Sequence, residues 1–448
     1  MVTSISSSFL DELQTRLAEA NAEVVDRYPL ETGERQPVHT VYGGAHLFKA
    51  DLAPKLGGLA LRALRTYGAN PQDFARAAGI TDDPELAGRI HAQVEAKLGR
   101  EPVEDFRIDF EDGYGNRSDA EEDGHAGAAA REVATGLRGG TLPPFFGIRI
   151  KPLSGELARR SLRTLDIFVS SLLDATGGAI PRGFVVTLPK ITTREHVEVL
   201  ADALAELEQA RGLADGTLRL ELMIETVQSI VGIDGRCNLP LFVESAAGRC
   251  VAAHFGTYDY TASCNITAAH QHMGHASCDF ARQMMQVAYS GTGIWLSDGA
   301  TNIMPVPVHR GDALTATQQQ ENADSVHAAW RLHAAHVRHS LVNGYYQGWD
   351  LHPAQLPTRY ATVYAFFLAG LPAASERLKN FVGKAAQATL VGDIFDDAAT
   401  GQGLLNFFLR GINCGAFGEE EAVATGLTIE ELRGRSFVKI LENRRGNG

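Results

Sequence analysis

The sequence predicts an α/β fold, a TIM (β/α)8 barrel with added helices. Three observations predict it. Eight short β-rich runs alternate with helical stretches. Such alternation calls for parallel strands joined by helical crossovers, and eight units are the number that closes a barrel. The runs also mostly end in charged or glycine-bearing tips, and in a barrel the carboxyl ends of the strands carry the chemistry. An open doubly wound sheet is the structural alternative.

Taken in order, the first thirty or so residues read as one amphipathic helix. Ser7 or Ser8 is placed to cap it, and Leu10, Leu13 and Leu17 share a face. Strand-like runs begin at Val38 (VHTVYGG), Glu104 (EDFRIDFEDG), Phe145 (FFGIRIKPL) and Arg182 (RGFVVTLPKI). They continue at Arg219 (RLELMIETV), Cys250 (CVAAHFGTYDYT), Gly293 (GIWLSDGATN) and Gly344 (GYYQGWDLHP). Between them, residues 118–137, 155–175, 193–211, 278–289 and 321–342 have helical periodicity. In 193–211, Thr192 and Glu195 make a capping box, and Val197, Leu200, Leu204 and Leu207 share one face. Segment 67–103 is too long for one connection and reads as an inserted helical pair. The expected organisation is an N-terminal helical segment (1–37), a barrel with that insertion (38–353), and a helical C-terminal extension (354–448) without a clear strand. The extension ends in a helix opened by Thr428 and Glu431.

Composition bounds the function. With 44% hydrophobic and 21% charged residues over 448 positions, the chain is globular, not disordered or fibrous. Lys and Arg total 41 against 54 Asp and Glu, a net charge of −13. Such a surface repels phosphate backbones and anionic lipid, so neither nucleic acid nor membrane is an expected partner, whereas divalent cations are. The five cysteines form no CxxC pair, which points to reduced thiols rather than a zinc centre. The N-terminus has no signal-peptide pattern and no 18-residue apolar run occurs, so a cytoplasmic location is expected.

The strand tips are rich in ionisable groups: Asp109, Glu111 and Asp112 after the second run, Arg149 and Lys151 on the third, Lys190 on the fourth. Glu225, Asp259, Asp298, and Asp350 with His352 follow on the later four. Charges at seven successive tips are expected to share one mouth. Glu225 emerges directly from the buried run Leu222–Ile224, and Asp259 lies at the next strand end. Adjacent strands are ~4.8 Å apart, so two carboxylates at matching heights repel unless a cation lies between them. Two hard oxygen donors, completed by water and substrate, are the Mg2+ pattern, with Mn2+ as a substitute.

Six runs occur in one order: DFEDGYG (Asp109–Gly115), GIRIKP (Gly147–Pro152), LPKI (Leu188–Ile191), LMIET (Leu222–Thr226), HFGTYDYT (His254–Thr261) and WDLHPAQ (Trp349–Gln355). In these the chain resembles the HpcH/HpaI aldolase and citrate lyase β-subunit family, with its malate synthase and malyl-CoA lyase relatives. The resemblance implies a barrel of the phosphoenolpyruvate/pyruvate type that binds Mg2+ and makes or breaks a carbon–carbon bond beside a carboxylate through an enolate. It implies Glu225 and Asp259 as metal ligands. Arg149, Glu111, Asp112 and Lys190 become the catalytic group, Arg149 also facing the substrate oxygens. His352 and Gln355 border the substrate. Thr40–Lys49 stands in place of the family's arginine-bearing first strand end, with His46 or Lys49 expected to compensate at the substrate.

The expected activity is therefore an Mg2+-dependent lyase or aldolase on a small 2-oxo or 2-hydroxy carboxylic acid. The alternative is an acyl-CoA-dependent lyase or Claisen-type synthase, with a CoA thioester as partner. A phosphoenolpyruvate phosphotransfer enzyme and a non-catalytic binding protein rank below these. A homo-oligomer is expected by the same resemblance. Other features read as structural. His270, His272 and His275 read as loop histidines, Cys264 and Cys278 as small buried groups, Trp295 and Trp349 as core, and Glu419–Glu421 as a solvated helix start.

Overall fold

A computed structural model describes residues 4–29, 34–311, 313–383, 389–391, 394–396, 398–423, 425–434 and 440. Eight parallel strands close a barrel in sequential order: β1 (His39–Gly44), β2 (Asp105–Asp109), β3 (Phe145–Arg149), β4 (Phe184–Leu188), β5 (Arg219–Ile224), β6 (Cys250–Phe255), β7 (Trp295–Ala300) and β8 (Gln347–Asp350). The last strand pairs with the first, His39 facing Gly348. The predicted fold is the observed one.

The helices follow in chain order. α1 (Ser7–Arg27) precedes the barrel, and α2 (Leu52–Tyr67), α3 (Pro71–Ala77) and α4 (Pro84–Arg100) lie between β1 and β2. α5 (Asp119–Gly139), α6 (Ala158–Thr176) and α7 (Arg194–Arg211) follow β2, β3 and β4. Short α8 (Val227–Ile230) and α9 (Leu239–Ser245) follow β5, then α10 (Thr257–Ser263) and α11 (Ala276–Tyr289) follow β6, and α12 (Ala316–Val342) follows β7. After β8 come α13 (Leu356–Gly383), β9 (Thr389–Val391), β10 (Ile394–Asp396), α14 (Ala398–Asn413), α15 (Glu419–Val423) and α16 (Ile429–Arg433).

Several local expectations change. α1 is capped by Ser6, one residue before the serines predicted, and buries none of its residues. α7 is capped at Thr193 without a side-chain hydrogen bond, so the Thr192–Glu195 box does not form. The C-terminal segment contains an antiparallel β9–β10 pair where no strand was expected. The Thr428–Glu431 capping box does form on α16, and Glu419–Glu421 open α15. Residues 1–3, 30–33, 384–388, 392–393, 397, 424, 435–439 and 441–448 of the predicted terminal segments lie outside the described residues.

The period-2 alternation of the strands divides the barrel. Phe106, Ile108, Ile148, Val186, Leu220, Leu222 and Phe255 join the apolar core, as outward faces covered by helices do. The alternate positions point inward and are polar. Arg107 pairs with Glu221 at 2.6 Å, Thr40 donates to Asp105 at 2.8 Å, and the Tyr42 hydroxyl lies 3.2 Å from His254 Nδ1. Barrels usually fill this space with branched apolar layers, so the polar interior is a feature to explain.

Candidate active site at the carboxyl ends of the strands

The strand register assembles the site. Asp109 and Arg149 are paired neighbours at the ends of β2 and β3. Arg149 donates from Nε and Nη2 to Asp109 at 2.7 and 2.6 Å, and its Nη1 lies 3.2 Å from Glu111. The guanidinium is only 2% exposed and stands 4.9 Å from the Tyr42 ring and 5.6 Å from the Trp349 ring. Burial opposes its charge, but Asp109 more than offsets this and the guanidinium stays protonated. Asp109 also accepts backbone hydrogen bonds from Glu111 and Gly113 at 3.0 and 2.8 Å. A Cβ on Gly113 would stand 2.6 Å from that carboxylate, which is why the turn needs glycine.

Lys190 follows β4 with φ 50°, a left-handed conformation costly for a residue with a side chain. This turn lets its backbone N–H donate to Glu225 Oε1 at 2.8 Å while its ammonium reaches Glu111, Asp112 (3.1 Å) and Asp259 (3.5 Å). Burial lowers its affinity for the proton, but Glu225 and Glu111 outweigh that and hold it above the ordinary lysine range.

Glu225 directly follows β5, and Ile224 is registered with Phe255, so Glu225 faces Gly256. A Cβ there would stand 2.5 Å from the Glu225 side chain. Glu225 is 1% exposed, and burial together with the charge of Asp259 raises its pKa to about 8. Asp259 lies in the first turn of α10 with its side chain 41% exposed. Burial also raises Glu111; in Asp112 the same effect is outweighed by the hydrogen bond with Glu111 and the charge of Lys190, so that carboxyl titrates low. Among the described residues no set of three or more His, Cys, Asp or Glu side chains is arranged to enclose a metal ion. The donors present are carboxylate oxygens, the type that hard divalent cations take.

Arg149, Glu111, Asp112, Lys190, Glu225 and Asp259 thus form one linked group. His46, His352 and Gln355 share no hydrogen bond or ion pair with it. His46 follows β1 beside the Tyr114 and His125 rings, at 5.6 and 6.2 Å between centroids, with a buried Nδ1 that has no hydrogen-bond partner. His352 Nδ1 accepts from Ala354 N at 3.1 Å. Gln355 is buried, accepts from Leu351 and His352 backbone N–H groups, and donates to Thr301 O at 2.9 Å. Its amide braces the loop after β8.

The expectation that charges at seven tips share one mouth is corrected for three of them. Asp298 is held by Arg282 (3.1 Å) and Ser340 (2.6 Å). Asp350 is enclosed by His39, His333 and Arg359 at 2.9, 2.9 and 2.8 Å. Lys151 turns to Glu122 at 2.9 Å. The aromatic seat of Arg149 was not foreseen. Trp349 was assigned to the core, and Tyr42 carried no signal beyond its place in an alternating strand. His275 caps α11, and burial pushes the Cys278 thiol up to about 12, in keeping with structural roles.

No helix among the described residues is long and apolar enough to cross a membrane. The fold is similar to that of a citrate lyase from Burkholderia xenovorans LB400, with a TM-score of 0.54 at 17% identity, covering 89% of this chain and 99% of that one. Weaker likenesses are a Haloferax volcanii malate synthase, lead(II) complex (TM-score 0.43, 12% identity, 91% and 98% covered), and the protein CitE from Mycobacterium tuberculosis in complex with magnesium, acetoacetate and coenzyme A (0.42, 15%, 86% and 99%). No curated protein matches the sequence. A family model, a domain of unknown function (DUF6986), matches residues 17–440, and the chain belongs to that family.

Proposed function

We propose that this protein is an Mg2+-dependent carbon–carbon lyase or aldolase acting on a small 2-oxo or 2-hydroxy carboxylic acid through an enolate. One observation carries the reading. Beside Glu225, three carboxylates (Glu111, Asp112 and Asp259) meet one ammonium, and the nearby guanidinium is already engaged by Asp109 and Glu111. Glu225 is buried beside Asp259, where a second negative charge is disfavoured, and a divalent cation bound between them would relieve that repulsion.

Glu225 and Asp259 would hold the cation, with Mn2+ a workable substitute. Bound there, it supplies Lewis-acid polarisation of substrate oxygens and stabilises negative charge as it develops. Arg149 adds a fixed positive charge beneath the mouth, kept from water by Tyr42 and Trp349. Lys190 stays protonated and orients Glu111 and Asp112. Asp112, exposed and ionised, is the base: it takes the substrate's hydroxyl proton as the carbon–carbon bond breaks and its electron pair moves into the enolate. His46 and His352 flank the substrate from β1 and β8, and Gln355 holds the β8 loop in place.

Turnover tests the reading: Mg2+ with small 2-oxo and 2-hydroxy acids in one arm, acetyl-CoA with glyoxylate in the other. Cleavage in the first arm supports the proposal, and turnover only in the second selects the acyl-CoA alternative. By calorimetry, Glu225→Ala and Asp259→Ala should each weaken Mg2+ binding at least ten-fold. Unchanged Mg2+ affinity in both removes the metal assignment.

A further inference from the structure

The polar interior of the barrel leads to its opposite end. A chamber of about 1040 Å³ opens among the amino-terminal ends of the strands. Its floor is charged and buried: Arg107, Glu221 and His254 are 3%, 1% and 2% exposed. Burying such groups carries a desolvation penalty, whereas a barrel shaped only for stability fills this space with apolar side chains.

The floor is also incomplete. His254 Nδ1 meets the Tyr42 hydroxyl, but its Nε2 is buried without a hydrogen bond, standing 3.3 Å from Glu221 Oε2. Buried polar atoms ordinarily have partners. Arg107 is engaged by both Asp105 and Glu221, so the floor has no free cation to receive an acid. The wall presents the half-buried rings of Phe145 and Trp295, edge to face with centroids 5.7 Å apart. The rim carries two exposed guanidiniums. Arg182 has no ion-pair partner among the described residues, and Arg219 donates only to Gly248 O at 2.9 Å.

We propose that this chamber is a second binding site, distinct from the carboxylate mouth, for a small amphipathic aromatic anion. The ring lies against Phe145 and Trp295. The acid group meets Arg182 and Arg219 at the rim, and the inner end forms a hydrogen bond with His254 Nε2. An apolar wall with a few convergent polar groups is the usual form of a small-molecule site. The inference stands independently of the proposed activity.

The probe is 8-anilinonaphthalene-1-sulfonate, titrated into the full chain and followed by fluorescence. One saturable site per chain is expected. Arg182→Glu, a change on an exposed side chain, should weaken it at least five-fold, and Trp295→Leu should weaken it as well. Glu225→Gln, at the other end of the barrel, should leave it unchanged. Wild-type affinity in a folded Arg182→Glu variant overturns the proposal. So does binding of several dyes per chain without saturation, or loss of the site in Glu225→Gln.

Discussion

Glu225→Gln should stabilise the protein when divalent cations are removed by a chelator. The carboxyl has its ordinary value of 4.5 in the unfolded chain and about 8 in the folded one, because burial and the neighbouring Asp259 disfavour its charge. The shift is upward, so the unfolded chain releases this proton first. The penalty is absent at pH values well below 4.5, grows as pH rises, and levels off above about 8. At pH 7 the two values correspond to roughly 3 kcal/mol of destabilisation, and at pH 5 to less than about 1 kcal/mol. Glutamine keeps the shape, and its amide oxygen keeps the 2.8 Å hydrogen bond from Lys190 N. Unfolding entropy near ~2.1 cal/mol/K per residue gives about 1 kcal/mol per degree for a chain of 448 residues. Calorimetric melting in chelator should therefore show a gain of about 3 °C at pH 7 that shrinks to under ~1 °C at pH 5. A lower midpoint in the variant, or the same gain at both pH values, refutes the reasoning.

Four further outcomes follow from the same geometry. Saturating Mg2+, at about a hundred times its dissociation constant, should stabilise the wild type by about 2.7 kcal/mol and leave Glu225→Gln almost unmoved, as read from thermal midpoints. Gly256→Ala places a Cβ 2.5 Å from the Glu225 side chain; displacement of that carboxylate should weaken Mg2+ binding by about ten-fold in calorimetry, at a stability cost of about 1–3 kcal/mol. Arg149→Met leaves Asp109 buried and unpaired, and urea unfolding should report a loss of about 3–5 kcal/mol. Asp350→Ala strips His39, His333 and Arg359 of their shared acceptor, with a similar loss, yet Mg2+ affinity should change less than two-fold because that cluster faces away from the mouth.

The barrel was legible because each strand–helix unit announces itself locally. A run such as RLELMI is short, flanked by turn residues, and preceded by a separately periodic helix. The closeness of Glu225 and Asp259 was legible for a related reason: one directly follows β5, the other lies in the first helical turn after β6, and the strand ends of a closed parallel barrel converge. The charges of β7 and β8 were misplaced because a strand tip has two sides. Asp298 and Asp350 alternate onto the helix side, where Arg282, His333 and Arg359 await them from α11, α12 and α13. Nothing local in SDGA or GWDL marks that difference. The role of Gln355 was obscure for the same cause, since its partners are backbone groups of two separate loops.

Alternation, turn chemistry and order along the chain were enough to determine the number of barrel strands, their parallel direction and the carboxylates expected at one end. These depend on periods of a few residues. Tertiary structure decided which charges neutralise one another. It seated Arg149 on Asp109 between Tyr42 and Trp349, folded Lys190 back over Glu111, and left Glu225 buried beside Asp259. It also left a polar, partly unsatisfied floor at the other end of the barrel. Charge pairing depends on distance and desolvation, and both are set only when strands far apart in sequence close into one ring.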